Sequence, residues 1–387
     1  MLRGKIAVLA RSLVASLIGA CPIGLRAQPP AHATLVHSAF GGQIFGFDID
    51  QNGTEGVLSE AKDLGGGKVL AAVETFDQAT GTITKVVDKT KTKDNFLTLG
   101  VTGPGIGLIE REHVRTIYVS KRTYDEIRPL GANAFNGKWM PPLKADDIVL
   151  GLSRNQGGGT AAVLTYHNKG AGRTFVFGSD VAAGTFGPQI ALTNPVFGIC
   201  CGPVVAFDAA TNQAVVAAST GAVGGPPPVF ALADLATGKV TEFNGLPGDP
   251  PYRAGYVNGL AVDSTDGIAC TTTELDAKVE FYDLAKQTGF AVRLPGATSQ
   301  LQSGSDVEFD PLNRLFFVAQ SVSSTASKGS SIQVYDTQGN LVESLNGFSF
   351  SNASNVVGTH IALNPATRTG YVDGPDAGVT ELQRFTY

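Results

Sequence analysis

Asp306 and His360 are the residues best suited to chemistry in this chain, and each stands four positions before a turn residue, Asp310 and Asn364 respectively. Asn258 stands one position earlier in its own copy of the same local pattern. A carboxylate beside a histidine can orient and charge the imidazole for general-base catalysis, or help to hold a divalent metal ion. We therefore take the three residues as candidate ligand contacts, and Asp306 and His360 as candidate catalytic residues. The competing interpretation is a solvated aspartate and a histidine that bonds a loop carbonyl.

Two adjacent cysteines, Cys200 and Cys201, are the rarest local feature of the sequence. In an oxidising compartment they can close a vicinal disulfide, which forces unusual backbone geometry and is reduced more easily than an ordinary disulfide. Such a rigid ring could support a flat ligand or a sugar, so both are candidate ligand contacts. The alternatives are that one of them pairs with Cys270, or that all three are buried as small apolar residues.

The run DIDQNG contains Asp48, Asp50 and Asn52 at the spacing that begins a calcium-binding loop. An EF-hand loop also requires a bidentate glutamate at its twelfth position, which here is Ser59, with Glu60 next to it. A plain hairpin turn is the competing interpretation. No cofactor is predicted, and calcium is the one metal ion that the pattern leaves open.

These residues are carried by a repeating unit that is clearest at residues 259–296. Four short alternating strands are joined there by turns rich in Asp and Gly, and one such antiparallel sheet cannot bury both of its faces alone. Its first hairpin also starts at Ile44, Gly105, Val204, Asp306 and His360, and its second hairpin also starts at Val69, Ala161, Val229 and Ser331.

The turns of the second hairpins predict their own geometry. An Asp opens each turn and a Gly takes the left-handed position before the return strand. The pairs are Asp77 with Gly81, Asp234 with Gly238, Asp283 with Gly289, and Asp336 with Gly339.

The spacing of the first hairpins predicts a β-propeller. Most start 47 to 61 residues apart, which is typical of propeller blades. The distance from Gly105 to Val204 is longer, and we interpret the excess, at about 121–150 around Trp139, as an insertion in the second blade. The sequence therefore predicts six blades of four antiparallel strands. A seventh blade is the alternative, because residues 148–152 could form a further strand.

The two ends of the chain predict how the propeller closes. The last copy stops at Tyr387 without a fourth strand, and a spare strand at 34–40 precedes the first copy. We expect this N-terminal strand to complete the last blade and to close the ring, which removes exposed sheet edges. One propeller domain would then span residues 34–387.

The repeat resembles those of NHL and YVTN-type β-propellers. The closest matches are HIALNP from His360 and VEFDP from Val307, and the resemblance extends from about Gly42 to the C-terminus. It implies the fold only, because such repeats serve binding proteins, lactonases and structural modules alike. The family also implies a ligand site where the chain enters its innermost strands, which adds Arg253 and Tyr256 to the candidate ligand contacts.

The N-terminus predicts export. Basic residues precede an apolar stretch that is too short to span a bilayer, so residues 1–27 are expected to be a signal peptide. A lipid anchor at Cys21 is the alternative, because Ile-Gly-Ala precedes it. Removal of 1–27 takes away four basic residues and no acidic one, and changes the net charge from −5 to −9. Such acidity argues against nucleic acid or an anionic membrane as partner.

The predicted function is that of a secreted or periplasmic propeller that binds an unknown protein, small molecule or sugar. One alternative is a metal-dependent hydrolase or lyase of the lactonase kind. Another is a structural protein of the cell envelope. No nucleophile elbow, zinc-protease motif or phosphate-binding loop occurs in the sequence, so an enzyme is the less favoured class.

Overall fold

The chain is almost entirely β-structure. The computed structural model describes residues 35–49, 54–65, 68–92, 94–103, 106–114, 122–130, 147–153, 160–167, 173–180, 185–198, 203–220, 225–247, 256–273, 276–297, 302–321, 328–350, 360–372 and 381–387. Within these ranges there are 28 strands and one 3-10 turn, Pro195–Gly198, but no α-helix. No helix in the described part is therefore able to cross a membrane. The expected signal peptide, residues 1–27, lies outside this part.

The strands form seven antiparallel sheets in the described part of the chain. The N-terminal strand is β1 (Leu35–His37). The first sheet contains β2 (Gln43–Ile49), β3 (Glu55–Gly65), β4 (Lys68–Asp77) and β5 (Ile83–Thr92). The second contains β6 (Asp94–Gly103), β7 (Ile106–Val114) and β8 (Arg122–Leu130). The third contains β9 (Asp147–Leu152), β10 (Thr160–His167), β11 (Arg173–Asp180), β12 (Thr185–Phe186) and β13 (Ile190–Leu192).

The remaining sheets are regular and four-stranded. The fourth contains β14 (Val204–Asp208), β15 (Gln213–Ala218), β16 (Val229–Asp234) and β17 (Val240–Asn244). The fifth contains β18 (Val257–Asp263), β19 (Ile268–Thr273), β20 (Lys278–Asp283) and β21 (Thr288–Arg293). The sixth contains β22 (Gly304–Asp310), β23 (Leu315–Gln320), β24 (Lys328–Asp336) and β25 (Leu341–Ser349). The seventh contains β26 (Ile361–Asn364), β27 (Thr369–Val372), β28 (Glu381–Thr386) and, paired to β28, strand β1.

The first strand of each sheet is its innermost strand. The strands β2, β6, β9, β14, β18, β22 and β26 lie side by side in this order, and β26 also lies beside β2. Seven sheets are one more than the six blades expected from the repeat spacing, and match the alternative count. The pairing of β1 with β28, through Val36 and Leu382 among others, confirms that the N-terminal strand completes the last sheet.

The extra sheet comes from the region where the repeat spacing was irregular. Ile106–Val114 was expected to begin a first hairpin, but β6 occupies the innermost position and Ile106–Val114 is the second strand. The hairpin from Ala161 was expected to be the third and fourth strands and is instead the second and third, behind β9. Alternation of apolar residues identifies a hairpin but not its position in a sheet, because every hairpin here shows the same period. Of the expected insertion, residues 131–146 lie outside the described part.

The predicted left-handed glycine is present in the turns of three of the four second hairpins. Gly81, Gly238 and Gly339 have φ of 70°, 74° and 78°. In the turn after Asp283 the left-handed residue is Gln287, with φ 57°, and not Gly289. Gly289 lies in β21, where a Cβ atom would approach Tyr282 Cδ1 to 2.6 Å, so close packing explains this glycine.

The hydrophobic core lies between neighbouring sheets. Between the fifth and sixth sheets, for example, buried Val279 and Phe281 pack with Phe309 and Phe316. Comparable clusters fill the seams between the third and fourth, fourth and fifth, sixth and seventh, and seventh and first sheets. A sheet buried on both faces needs such neighbours on both sides, which fits the propeller arrangement.

Candidate functional site on the upper face

We call the face at which the innermost strands begin the upper face, and the face at which they end the lower face. Asn258 lies near the start of β18 and is partly buried. Its Nδ2 donates to the carbonyl of Gly304 at the start of β22, over 3.0 Å. This side chain therefore links the fifth sheet to the sixth.

Asp306 makes the equivalent link from the sixth sheet to the seventh. Its Oδ2 accepts the backbone N–H of Ile361 over 2.9 Å. On its inner edge, an innermost strand has no further strand of its own sheet with which to form backbone hydrogen bonds. A carboxylate that accepts an N–H there satisfies a donor that would otherwise depend on solvent. At least one oxygen of Asp306 thus has a structural role.

His360 directly precedes Ile361 and is partly exposed. The structure therefore places the three predicted residues in or directly before three consecutive innermost strands, with Asp306 bonded to the residue next to His360. Within the described part, no group of three His, Cys, Asp or Glu side chains is arranged to hold a metal ion. The catalytic roles of Asp306 and His360 stay predictions.

A bulge recurs near the start of three innermost strands. The strand register shifts around Phe45 in β2, around Asn258 in β18 and around Ser305 in β22. A bulge turns side chains away from regular alternation and is frequent beside binding sites. Sequence analysis missed it, and the only local signal is a glycine next to the bulged residue in each strand.

Two buried hydroxyl groups accompany these bulges. Thr272 and Ser305 are 0% and 4% exposed. A Cβ atom on Gly304, the residue before Ser305, would lie 2.3 Å from Thr272 Cγ2, so the Thr272 side chain packs against this turn of the backbone. Neither hydroxyl oxygen has a hydrogen-bond partner among the described residues. A buried polar group without a partner costs about 1–3 kcal/mol, so such positions favour a bound water or ligand.

The other candidate ligand contacts are less fully described. Tyr256 immediately precedes β18 and is partly exposed. Cys200, Cys201 and Arg253 lie outside the described part. Cys270 is a buried free thiol in the apolar cluster between the fifth and sixth sheets, and the disulfide pairing of Cys200 and Cys201 stays a prediction. Burial and, to a smaller extent, Glu280 raise its pKa.

The candidate calcium loop is described at one residue. Asp48 is 4% exposed, and its Oδ1 accepts the backbone N–H of Ile49 over 2.8 Å. Asp50 and Asn52 lie outside the described part. The calcium site therefore stays a prediction.

The carboxylates of acidic residues on the lower face accept hydrogen bonds from nearby turns. Asp310 accepts the backbone N–H groups of Leu312 and Asn313 over 2.8 and 2.9 Å, and the hydroxyl of Tyr387 over 2.9 Å. Asp263 accepts the N–H of Thr265 and pairs with Arg314 of the next sheet.

The aspartates that open the turns of the second hairpins also accept hydrogen bonds within those turns. A hydrogen bond from the Thr237 N–H lowers the pKa of Asp234, and a bond from the Lys286 side chain lowers the pKa of Asp283. These carboxylates of the lower face stabilise hairpins and contacts between neighbouring sheets.

Solved structures with the same fold are distant in sequence. The WD40 repeats of RRP9 are 13% identical with a TM-score of 0.60, over 93% of this chain and 99% of that chain. The Cps50 (Swd1) β-propeller domain of Myceliophteria thermophila is 9% identical with a TM-score of 0.56, over 93% and 100%. Hydrazine synthase of Kuenenia stuttgartiensis is 11% identical with a TM-score of 0.59, over 89% and 96%.

Neither a protein-family model nor a curated protein sequence matches the chain. Identities this low show the fold alone. The β-propeller fold is therefore confirmed, and assignment to the NHL or YVTN repeat type stays a prediction.

Proposed function

We propose that this protein is an exported binding module whose ligand contacts lie on the upper face of the propeller. The observation that supports this most directly is the set of polar side chains at the starts of consecutive innermost strands. Asn258 and Asp306 bridge these strands, His360 follows on the next one, and the hydroxyls of Thr272 and Ser305 are buried without partners in the described part. On the lower face, by contrast, the described turn carboxylates are occupied by hairpin bonds.

The ligand class that fits these groups is a neutral or cationic polar molecule with several hydroxyl groups. Hydroxyl, amide and carboxylate side chains can bond sugar hydroxyls, and Tyr256 offers an aromatic ring at the same face. An acidic mature chain disfavours polyanionic ligands.

A thermal-shift screen with neutral oligosaccharides, lactones and CaCl₂ tests this proposal. A ligand at 100 times its Kd stabilises the folded state by about 2.7 kcal/mol, so a true ligand raises the melting temperature. We expect Tyr256→Ala and His360→Ala to abolish the shift, while His37→Ala, on the outermost strand β1, retains it. A ligand whose shift survives both upper-face substitutions binds elsewhere and contradicts the proposal.

The same screen separates the enzyme alternative from the binding module. Turnover of a lactone that requires CaCl₂ and is lost in Asp306→Asn would favour the hydrolase. Export is tested independently by N-terminal sequencing of the mature protein, with a start after Ala27 or Ala33 expected. A lipid-modified Cys21 at the mature N-terminus would replace that expectation with the anchored form.

A further inference from the structure

A buried glutamate or glutamine recurs at one position of the third strand in four sheets. The strand pairing establishes the equivalence, because each residue lies opposite the same place of the second strand, occupied by Leu58, Thr271, Val318 and Val372 respectively. All four are at most 7% exposed. They are Glu74, Glu280, Gln333 and Gln383.

In the seventh sheet this residue holds the chain that leaves the preceding sheet. Gln383 Oε1 accepts the N–H of Ser349 over 2.9 Å, and its Nε2 donates to the carbonyl of Ser349 over 2.8 Å. Ser349 ends β25, the outermost strand of the sixth sheet. An amide side chain suits this site, because the backbone presents both a donor and an acceptor.

In the sixth and fifth sheets the contact runs through a second side chain. Gln333 donates to Gln320, which donates to the carbonyl of Pro295, just after the outermost strand of the fifth sheet. Glu280 accepts the hydroxyl of Tyr282, which in turn accepts the N–H of Leu246, just after the outermost strand of the fourth sheet.

In the first sheet, residues at the equivalent positions hold the segment that connects the seventh sheet to the first. Glu74 Oε2 accepts the N–H of Ala39 over 3.0 Å. Glu60, at the place in the second strand that Gln320 occupies in the sixth sheet, accepts the N–H groups of Phe40 and Gly42 over 2.9 and 2.7 Å. Both carboxylates are 0% exposed.

We infer that Glu60 and Glu74 form a clamp that closes the propeller by holding residues 35–42, here called the strap, against the first sheet. The strap carries β1 in the seventh sheet and leads directly into β2 of the first. Among the described residues, strand β1 makes three residue pairs with β28, and so short a pairing is marginally stable on its own. Two buried carboxylates that bind three backbone N–H groups add to this attachment, beside the buried Val36 side chain and the bond from Lys62 to the Phe40 carbonyl.

The fourth sheet shows what replaces the clamp where it is missing. Ala231 stands at the equivalent position of β16. The chain that enters this sheet instead buries Phe197, which packs in the same apolar cluster as Ala231. A small residue here leaves room for the aromatic ring, so packing of Phe197 takes the place that a buried Glu or Gln occupies in the other sheets. The same connection is also held by hydrogen bonds from Thr174 to the Phe197 carbonyl and from Asn194 to Glu242 of the fourth sheet.

Glu60→Gln is the most direct test, with Glu55→Gln on the same strand as the exposed control. A glutamine can accept only one of the two N–H groups and directs its NH₂ at the other. We expect hydrogen exchange of strap amides and of β28 to become roughly tenfold faster, because a buried hydrogen bond is replaced by two facing donors. Equal exchange in the two variants, or an equal increase in β14–β17, overturns the inference.

Two further variants keep the test informative if Glu60→Gln folds poorly. Glu74→Gln can still accept the Ala39 N–H through its amide oxygen, so we expect an effect between those of Glu60→Gln and Glu55→Gln. In a His37→Cys/Glu381→Cys background, the oxidised disulfide holds β1 to β28 at a residue pair of which His37 is exposed and Glu381 half-buried. Oxidation should then suppress the fast exchange that Glu74→Gln causes in β28. An effect that oxidation leaves unchanged shows that the carboxylates do not act through the strap, and overturns the inference.

Discussion

Tyr371 joins two sheets through a single side chain. It is fully buried on β27 and packs edge-to-face against Phe76 of the first sheet, with ring centroids 5.3 Å apart. Its hydroxyl donates to the carbonyl of Gln78, whose amide oxygen accepts Asn364 Nδ2 over 2.8 Å. Burial disfavours the phenolate and raises the pKa of Tyr371 to about 12.

We expect Tyr371→Phe to lower the free energy of unfolding by about 1 kcal/mol at pH 7, because one buried hydrogen bond is lost. The wild-type contribution of the neutral hydroxyl is fully present below the unfolded pKa of about 10 and is lost as the pH rises towards 12. The variant should therefore lose stability less steeply over this interval. Urea unfolding at pH 7, 10 and 11 measures both effects.

Tyr335→Phe is the matched control. Tyr335 is 0% exposed, but its hydroxyl has no hydrogen-bond partner among the described residues. Removal of this hydroxyl should be neutral or stabilising at pH 7. A loss in Tyr335→Phe as large as that in Tyr371→Phe would contradict the assigned role of the Tyr371 hydrogen bond.

At the scale of strands, glycine sets how closely innermost strands approach. A Cβ atom on Gly259 of β18 would lie 2.4 Å from the backbone nitrogen of Val307 in β22. Backbone atoms cannot move aside as a flexible side chain can. Gly151 of β9 occupies another innermost strand, but a Cβ atom there would meet only Val205 Cγ1 at 3.7 Å, an ordinary contact.

Gly259→Ala is therefore expected to destabilise the protein by about 3 kcal/mol, through strain between β18 and β22. Gly151→Ala should cost nothing or stabilise slightly, because alanine restricts the unfolded chain more than glycine does. Thermal unfolding of both variants measures the difference. Equal melting temperatures would show that the two innermost strands tolerate side chains alike and that the close approach at Gly259 is not a constraint.

The geometry of the turns between strands could be predicted from the sequence. The Asp-opened turns with Gly81, Gly238 and Gly339 depend on a few adjacent residues, and the structure confirms them. The turn after Asp283 departs from the prediction, because its left-handed residue is Gln287 and not Gly289. Gly289 is required instead by its close packing against Tyr282, which is a tertiary contact. The recurring Glu or Gln of the third strand is visible in VETFD, VEFYD, IQVYD and LQRFT. The backbone groups that it reaches, directly or through a second side chain, follow a different sheet and could not be predicted from these motifs.

At the scale of the molecule, stability depends on seams between sheets. We expect deletion of residues 1–34 to leave the melting temperature unchanged, whereas deletion of 1–42 lowers it. The longer deletion removes β1 and the strap, exposes the edge of β28 and loses buried Val36, whose burial alone contributes about 2 kcal/mol.

Differential scanning calorimetry compares the two deletions, and light scattering detects the association that an open strand edge promotes. If the two deletion variants have the same melting temperature and remain monomeric, the attachment of β1 is dispensable for the fold.

The alternating strands and Asp/Gly turns were enough to predict four-stranded antiparallel sheets, a β-propeller and the place of β1 beside β28, because these follow from short-range periodicity and from the need to pair open edges. The number of sheets and the position of β6 and β9 as innermost strands depended on tertiary structure, since equal periodicity does not distinguish one hairpin from the next. Tertiary structure also brought Asp306 to Ile361, and Glu60 and Glu74 to the strap. A buried polar side chain acts on whichever backbone group packs against it, and that group belongs to a neighbouring sheet far away in the sequence.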